Sequence, residues 1–131
     1  MIFLDTDIIS YFFNANTKIK EKLIEIINNN ENICMTIINV YEILKGLKWK
    51  YNKNKEKQFK EFLENITIYT LDDEVIDIAT DIYSNLRKTG KTIGDADILI
   101  ASIVIKNKGY LVSNNLKHYE DIKQLKLVNW L

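Results

Sequence analysis

Met1-Ile-Phe-Leu-Asp-Thr-Asp-Ile-Ile-Ser10 decides how the chain is to be read. Four apolar residues run into a carboxylate, a hydroxyl and a second carboxylate, after which apolar residues resume. A continuous apolar run closed by polar residues predicts a short, fully buried strand. Thr6 or Asp7 is placed to cap a following helix, in which Ile8, Ile9, Phe12 and Phe13 recur at helical spacing. Asp5 then falls at the carboxyl end of a central parallel strand, where open α/β sheets place their ligand crevice. Carboxylates are rarely buried unless they are paired or bind a metal. Asp5 therefore demands a partner.

Outward from this stretch, strands and helices alternate. Residues 17–29 carry Ile19, Leu23, Ile26 and Ile27 as a helical stripe, and residues 33–36 form a second buried strand. A helix beginning at Asn39 presents Val40, Ile43, Leu44 and Leu47, with Glu42 off that stripe. Another follows around Phe59, Phe62 and Leu63. Residues 66–71 read as a strand. A long helix capped by Asp72 or Asp73 carries Val75, Ile76, Ala79, Ile82, Tyr83 and Leu86 and ends near Thr89-Gly90. The loop 92–97 feeds an apolar helix over 98–105. A strand over 109–113, a short helical piece around 119–122 and a last strand over 126–131 complete the chain. This alternation predicts a parallel sheet covered on both faces. With no internal repeat and no linker composition, residues 1–131 are read as one domain.

Composition narrows the class. With 47% hydrophobic and 27% charged residues, the chain reads as an ordinary soluble domain with one core. Eighteen basic and eighteen acidic residues cancel, so any nucleic-acid surface must be local. Cys34 is the only cysteine, which excludes an intramolecular disulfide and a zinc cluster of cysteines. Asp5 and Asp7 interrupt the amino-terminal apolar stretch as no secretory leader would allow. The apolar segment 98–105 is far short of the roughly 18 residues of a membrane span. No membrane association and a cytoplasmic setting are the expectation.

The acidic residues fall in suggestive places. Asp5 ends the first strand, Asp97 opens a helix after a glycine loop, and Asn115 follows the strand 110–113. All three map to the carboxyl edge of a parallel sheet, and Glu42 can lean over the same edge. Oxygen ligands converging there repel one another unless a hard cation such as Mg²⁺ or Mn²⁺ balances them. Such ions activate water and stabilise the leaving oxygen of a phosphodiester. The competing explanation is that these carboxylates cap helices. Lys48, Trp49, Lys50 and Tyr51 open a lysine and aromatic stretch suited to nucleic-acid phosphates and bases. Arg87, Lys88 and Lys91 precede the Asp97 loop and are further candidates for a substrate backbone. His118 is expected to be a surface histidine.

Four segments also carry a resemblance. Leu4-Asp5-Thr6, Val40-Tyr41-Glu42-Ile43-Leu44-Lys45-Gly46, Gly94-Asp95-Ala96-Asp97-Ile98-Leu99-Ile100-Ala101 and Leu111-Val112-Ser113-Asn114-Asn115 stand in the order seen in PIN-domain ribonucleases. The set most resembles VapC-type toxins of toxin–antitoxin pairs, as does the closing Leu125-Lys-Leu-Val-Asn-Trp130. The resemblance implies a three-layer α/β/α fold with a five-stranded parallel sheet and a metal-dependent endoribonuclease using Mg²⁺ or Mn²⁺. It assigns the family's acidic positions to Asp5, Glu42 and Asp97, as metal-holding and catalytic residues. Asn115 falls where many members carry a fourth acid, so that a second ion is in doubt. Asp7 and Asp95 are additional acids able to compensate. Thr6 and Ser113 match hydroxyl positions that orient carboxylates or water from behind.

The same resemblance implies a homodimer held inactive by a small antitoxin protein. Tyr11, Phe12, Phe13, Trp49 and Tyr51 supply more aromatic surface than one small domain readily covers. One patch is expected to form the dimer. A groove between the amino-terminal helices and the third helix is expected to take the antitoxin. Two rival readings stand beside this one. In the first, Phe3-Leu4-Asp5-Thr6-Asp7 resembles the start of haloacid dehalogenase-like phosphatases, with Asp5 as nucleophile and Asp7 as general acid. Ile8 then replaces the usual glycine and Glu42 is left without a role. In the second, a PIN-like fold only binds, as Asn115 in place of an acid would suggest.

Overall fold

The computed structural model describes residues 1–131 and contains five strands and seven helices. In chain order these are β1 (Ile2–Leu4), α1 (Thr6–Phe13), α2 (Thr17–Asn28), β2 (Ile33–Thr36), α3 (Ile37–Trp49), α4 (Lys53–Leu63), β3 (Thr67–Tyr69), α5 (Asp73–Lys88), α6 (Asp95–Lys106), β4 (Tyr110–Val112), α7 (Leu116–Tyr119) and β5 (Leu127–Val128). All strands run parallel in the order β3-β2-β1-β4-β5. The fold is therefore α/β with a parallel five-stranded sheet, as the resemblance implied.

Strand periodicity builds the layers. Successive side chains point to opposite faces of a sheet. Ile2 and Leu4 of β1, Ile33 and Met35 of β2, and Val112 of β4 pack with Ile8, Ile9, Ile19, Leu23, Val40 and Phe59 from α1 to α4. Phe3, Cys34 and Leu111 face the other way, against Val75, Ala79, Ile82 and Leu86 of α5 and the apolar body of α6. Cys34 is buried and free there. Helix α6 is apolar on most of its circumference because it lies between the sheet and α5.

Order within the sheet positions the site. The chain steps from β1 to β2 to β3 in one direction, then returns past β1 to place β4 and β5 on the other side. β1 and β4 are hydrogen-bonded neighbours with Leu4 opposite Val112. Their carboxyl ends form the topological switch point at which such sheets open a crevice.

Several boundaries differ from the sequence reading, each for a local reason. Asp5, not Thr6 or Asp7, is the N-cap of α1, its carboxylate accepting from the Thr6 amide. Helix α3 begins at Ile37, two residues before Asn39, because Thr36 ends β2 and caps the helix by accepting from the Asn39 amide. Helix α6 starts at Asp95, so Asp97 lies in its first turn and not in the preceding loop. β5 is two residues long and pairs only with β4 at the sheet edge. Ile76 and Tyr83 of α5 are exposed, since Val75, Ala79, Ile82 and Leu86 already cover the face toward the sheet. Phe12 and Phe13 are not surplus surface. They pack edge and face against Phe59 and Phe62 of α4 with ring centroids 5.7–6.1 Å apart, completing the core under α1.

A close approach fixes the start of β4. A Cβ on Gly109 would lie 2.7 Å from the buried Phe3 ring and 2.9 Å from the Met1 carbonyl oxygen. Gly109→Ala should lose about 1–3 kcal/mol, the usual range for overpacking a filled core. Urea midpoints of the two proteins measure this, and equal midpoints would show that Phe3 moves aside freely.

Candidate active site

Asp5 is 4% exposed at the carboxyl end of β1, and its backbone amide extends the ladder by donating to the Val112 carbonyl at 3.0 Å. Its Oδ1 accepts from the Thr6 amide and from Asn39 Nδ2, both at 2.9 Å, and its Oδ2 accepts from Ser113 Oγ at 2.7 Å. Buried carboxylates are costly without donors. Here every donor is neutral. No lysine or arginine forms an ion pair with Asp5, Glu42 or Asp97.

The network extends through α3. Thr36 Oγ1 donates to Asn39 Oδ1 at 2.7 Å, which aims the amide nitrogen at Asp5 and, at 3.0 Å, at Thr6 Oγ1. Thr6 Oγ1 donates in turn to Glu42 Oε1 at 2.9 Å. Thr6 and Ser113 thus each donate a hydroxyl to a carboxylate. Asn39, fully buried, is the hub that sequence reasoning missed. A polar residue set among Ile37, Ile38 and Val40, three positions after the capping threonine, was the available signal.

Asp97 approaches from the first turn of α6. Tyr119 Oη donates to its Oδ1 at 3.4 Å, and His118 Nδ1 lies 3.2 Å from its Oδ2. Burial pushes the Asp97 carboxyl above the usual carboxylate range; the His118 side chain opposes this and the Asp5 carboxylate reinforces it. Tyr119 is 1% exposed. Burial, and then the carboxylates of Asp5, Asp97 and Glu42, push its phenol far above the ordinary range, so it stays a neutral donor. Nothing in the sequence distinguished Tyr119 from a core aromatic; His118 is exposed, as expected of a surface histidine, and also reaches Asp97.

The remaining candidates divide. Asp7 accepts from the Ile8 and Asn114 amides, each at 2.8 Å, tying α1 to the turn after β4. Burial first, and then Asp5, push its carboxyl up. Asn115 is exposed; its backbone amide donates to Ser113 Oγ at 3.0 Å, while its side chain gives α7 no cap. Asp95 is exposed at the start of α6. Arg87 and Lys88 are exposed at the end of α5, Arg87 lying over the Tyr83 ring, and Lys91 is paired with Asp121 at 2.7 Å. Lys48, Trp49, Lys50 and Tyr51 are exposed where α3 meets α4. As the side chains lie, no three acidic, histidine or cysteine groups converge closely enough to share a metal ion. The donor chemistry nonetheless suits a hard cation: carboxylate oxygens with no lysine or arginine partner.

Residues 2–123 match the family model described as PIN domain. The chain belongs to the PIN-domain family. Its relatives within that family are of the VapC type. One, named Ribonuclease VapC2 of Haemophilus influenzae, is 32% identical over 98% of this PIN chain and 96% of its own length. Another, named Ribonuclease VapC2 of Rickettsia felis, is 30% identical over 97% and 96%. Among solved structures, VapBC2 from Rickettsia felis bound to a promoter DNA fragment has a TM-score of 0.89 at 28% identity, covering the whole of both chains. VapBC-1 from nontypeable Haemophilus influenzae has a TM-score of 0.85 at 26% identity, over 99% of this chain and 98% of that one. Membership of the family also disposes of the phosphatase reading. In this PIN domain Glu42 is joined to the site through Thr6, and Asp7 is engaged by backbone amides.

Crowding of these carboxylates has a pH signature. A carboxyl group raised in the folded state costs stability when ionised, and that cost vanishes as pH falls below the raised value. His118 is the only histidine, so a His118→Gln background leaves carboxylates alone to titrate below neutrality. In that background Asp97→Asn should stabilise the protein at about pH 7, with the gain shrinking toward about pH 4. Urea unfolding across this range measures it, and a gain that does not vary with pH would show that Asp97 is not held above its ordinary value.

Proposed function

We propose that this chain is a metal-dependent endoribonuclease that cleaves RNA phosphodiester bonds, acting as the toxin of a toxin–antitoxin pair. One observation carries the reading. Asp5 is buried at the switch point on neutral donors alone, with Glu42 joined to it through Thr6 and Asn39, Asp97 held by Tyr119 on the same edge, and no lysine or arginine paired with any of the three. Idle carboxylates crowded in this way weaken a fold. The relatives named Ribonuclease VapC2 supply the reaction class.

Asp5, Glu42 and Asp97 are the residues that would hold Mg²⁺ or Mn²⁺. A hard divalent cation supplies activation of water and neutralisation of charge on the leaving oxygen. The protein's part is preorganisation. Ser113, Asn39 and the Thr6 amide fix both oxygens of Asp5, Thr6 Oγ1 orients Glu42, and Tyr119 donates to Asp97. The Asn115 side chain stands outside this network, which only its backbone amide joins through Ser113 Oγ, so its replacement of an acid does not favour a purely binding module.

RNA cleavage with Mn²⁺ or Mg²⁺ against the same assay in EDTA is the direct test. Asp5→Asn, Glu42→Gln and Asp97→Asn should each keep the fold and lower the cleavage rate by orders of magnitude. Full activity in any one removes that residue from the site. Asn115→Asp should lower the metal concentration needed for half-maximal rate, since an added carboxylate raises the charge of the site. Unchanged metal dependence means that Asn115 stays turned away.

Partners follow from the same reading. The solved relatives are VapBC complexes, and a small antitoxin is proposed for this chain. A cleft of about 280 Å³ between α1, α3 and α4, lined by Ile9, Phe13, Leu47 and Phe59, matches the groove expected for it. A basic side chain of the antitoxin is proposed to reach the acidic edge. The active unit is proposed to be a homodimer, and the setting cytoplasmic; no helix is long and apolar enough to cross a membrane. Expression alone should slow growth of a bacterial host, with relief by the cognate antitoxin, and light scattering should give the dimer mass. A harmless monomer that cleaves RNA in vitro would remove the toxin assignment and leave the nuclease.

A further inference from the structure

Charge is distributed unevenly along this chain. Residues 45–60 carry seven lysines and one glutamate, a local charge of +6 in a chain of zero net charge. The segment spans the end of α3, the turn after it and most of α4. Lys60 is paired with Glu56, and Lys55 donates to Asn14. Lys45, Lys48, Lys50, Lys53 and Lys57 take part in no ion pair.

Exposed aromatic rings are interleaved with these lysines. Trp49 is 88% exposed, Tyr51 75% and Tyr41 62%. Lys45 Nζ sits 5.1 Å above the Tyr41 ring, and Lys53 Nζ 5.0 Å above that of Tyr51. With a lysine so near, both rings remain mostly exposed to solvent. Tyr41, Lys45 and Trp49 recur at helical spacing of four, on one face of α3. They form a track about 12 Å long at 1.5 Å per residue. The track begins one residue from Glu42, at the acidic cluster.

The occupant follows from this chemistry. An apolar peptide needs a continuous apolar floor, and here lysines separate the rings. A duplex offers phosphates but keeps its base faces stacked, which leaves Trp49 without a partner. An unpaired polynucleotide offers phosphates to the lysines and base faces to the rings. We propose that the exposed face of α3 and the α3–α4 turn form a docking track for an unpaired RNA strand, outside the acidic cluster and leading to it. The proposal rests on the ribonuclease reading only for what happens to the strand at the far end.

Binding and cleavage can be tested apart. The full chain in EDTA is titrated against a labelled, unstructured RNA of about 12 nucleotides, within the range that such sites cover, and against the duplex of that sequence. Trp49→Ala should weaken single-strand binding roughly 5- to 100-fold, leave duplex binding unchanged, and be largely rescued by Trp49→Phe. Trp130 is buried, so quenching of tryptophan emission on binding should disappear with Trp49. Lys48→Gln with Lys50→Gln should reduce the slope of log K against log salt by about 1.4, at roughly 0.7 for each phosphate no longer neutralised. Single-strand binding unchanged by Trp49→Ala, or duplex binding weakened equally, overturns the track. Cleavage with Mn²⁺ alongside unchanged binding by the variants would sink the track and leave the nuclease. Variant effects as expected with no cleavage by the wild-type chain would sustain the track and sink the nuclease.

Discussion

Burial of the Asp5 carboxylate is the constraint on which the site depends. A carboxylate almost wholly removed from water at the end of the central strand has two ways to be satisfied. A lysine or arginine could neutralise it, at a steep desolvation cost for both charges, and would leave a salt bridge with nothing further to attract. Neutral donors satisfy the lone pairs and leave the charge uncompensated. This chain takes the second course, with a hydroxyl from β4, an amide from α3 and the first backbone amide of α1. The amino terminus of α1 adds its own favourable field. The result is a group held rigidly and still able to attract a cation.

That solution requires three separate chain segments to meet. Ser113 is available because β4 returns to lie beside β1, which the strand order β3-β2-β1-β4-β5 enforces. Asn39 is available because Thr36 closes β2 and opens α3 without a loop, so the helix begins at the sheet edge. Asp97 arrives from the first turn of α6, and Tyr119 from α7 below it. Each is held by an element whose own stability comes from the two apolar layers, so the polar cluster is positioned by packing that it does not itself supply. Such a site is tolerable only because every buried side-chain polar atom has a partner.

Much of this was legible in the chain, and what was not has a physical cause. β1, β2 and the cap and end of α5 could be read because apolar runs and capping residues are local signals. Asp5 could be placed for the same reason. The alternation of strands and helices already implied a covered parallel sheet and a shared carboxyl edge for Asp5, Glu42 and Asp97, while the strand count and the family positions came from motif order. Asn39 and Tyr119 were missed because their roles depend on partners at the far end of the chain; a buried amide or phenol looks like any other until its neighbour is known. Phe12 and Phe13 were misread as surplus surface for a related reason. Their cover is Phe59 and Phe62 of α4, and which helix packs on α1 is not written in either segment alone.

The zero net charge conceals the electrostatic design. Acidic groups are concentrated at the carboxyl edge of the sheet, where hydroxyls and amides hold them, while residues 45–60 concentrate lysine at the end of α3. These two regions share a helix, since α3 carries Asn39 and Glu42 in its first half and Lys48 and Trp49 at its end. A polyanion is repelled by the first region and attracted by the second, so the basic end must meet it first. On the proposed reading, a cation bound at the acidic end would reverse its sign and admit phosphate. The rigidity of one helix would then fix the distance between holding a strand and acting on it.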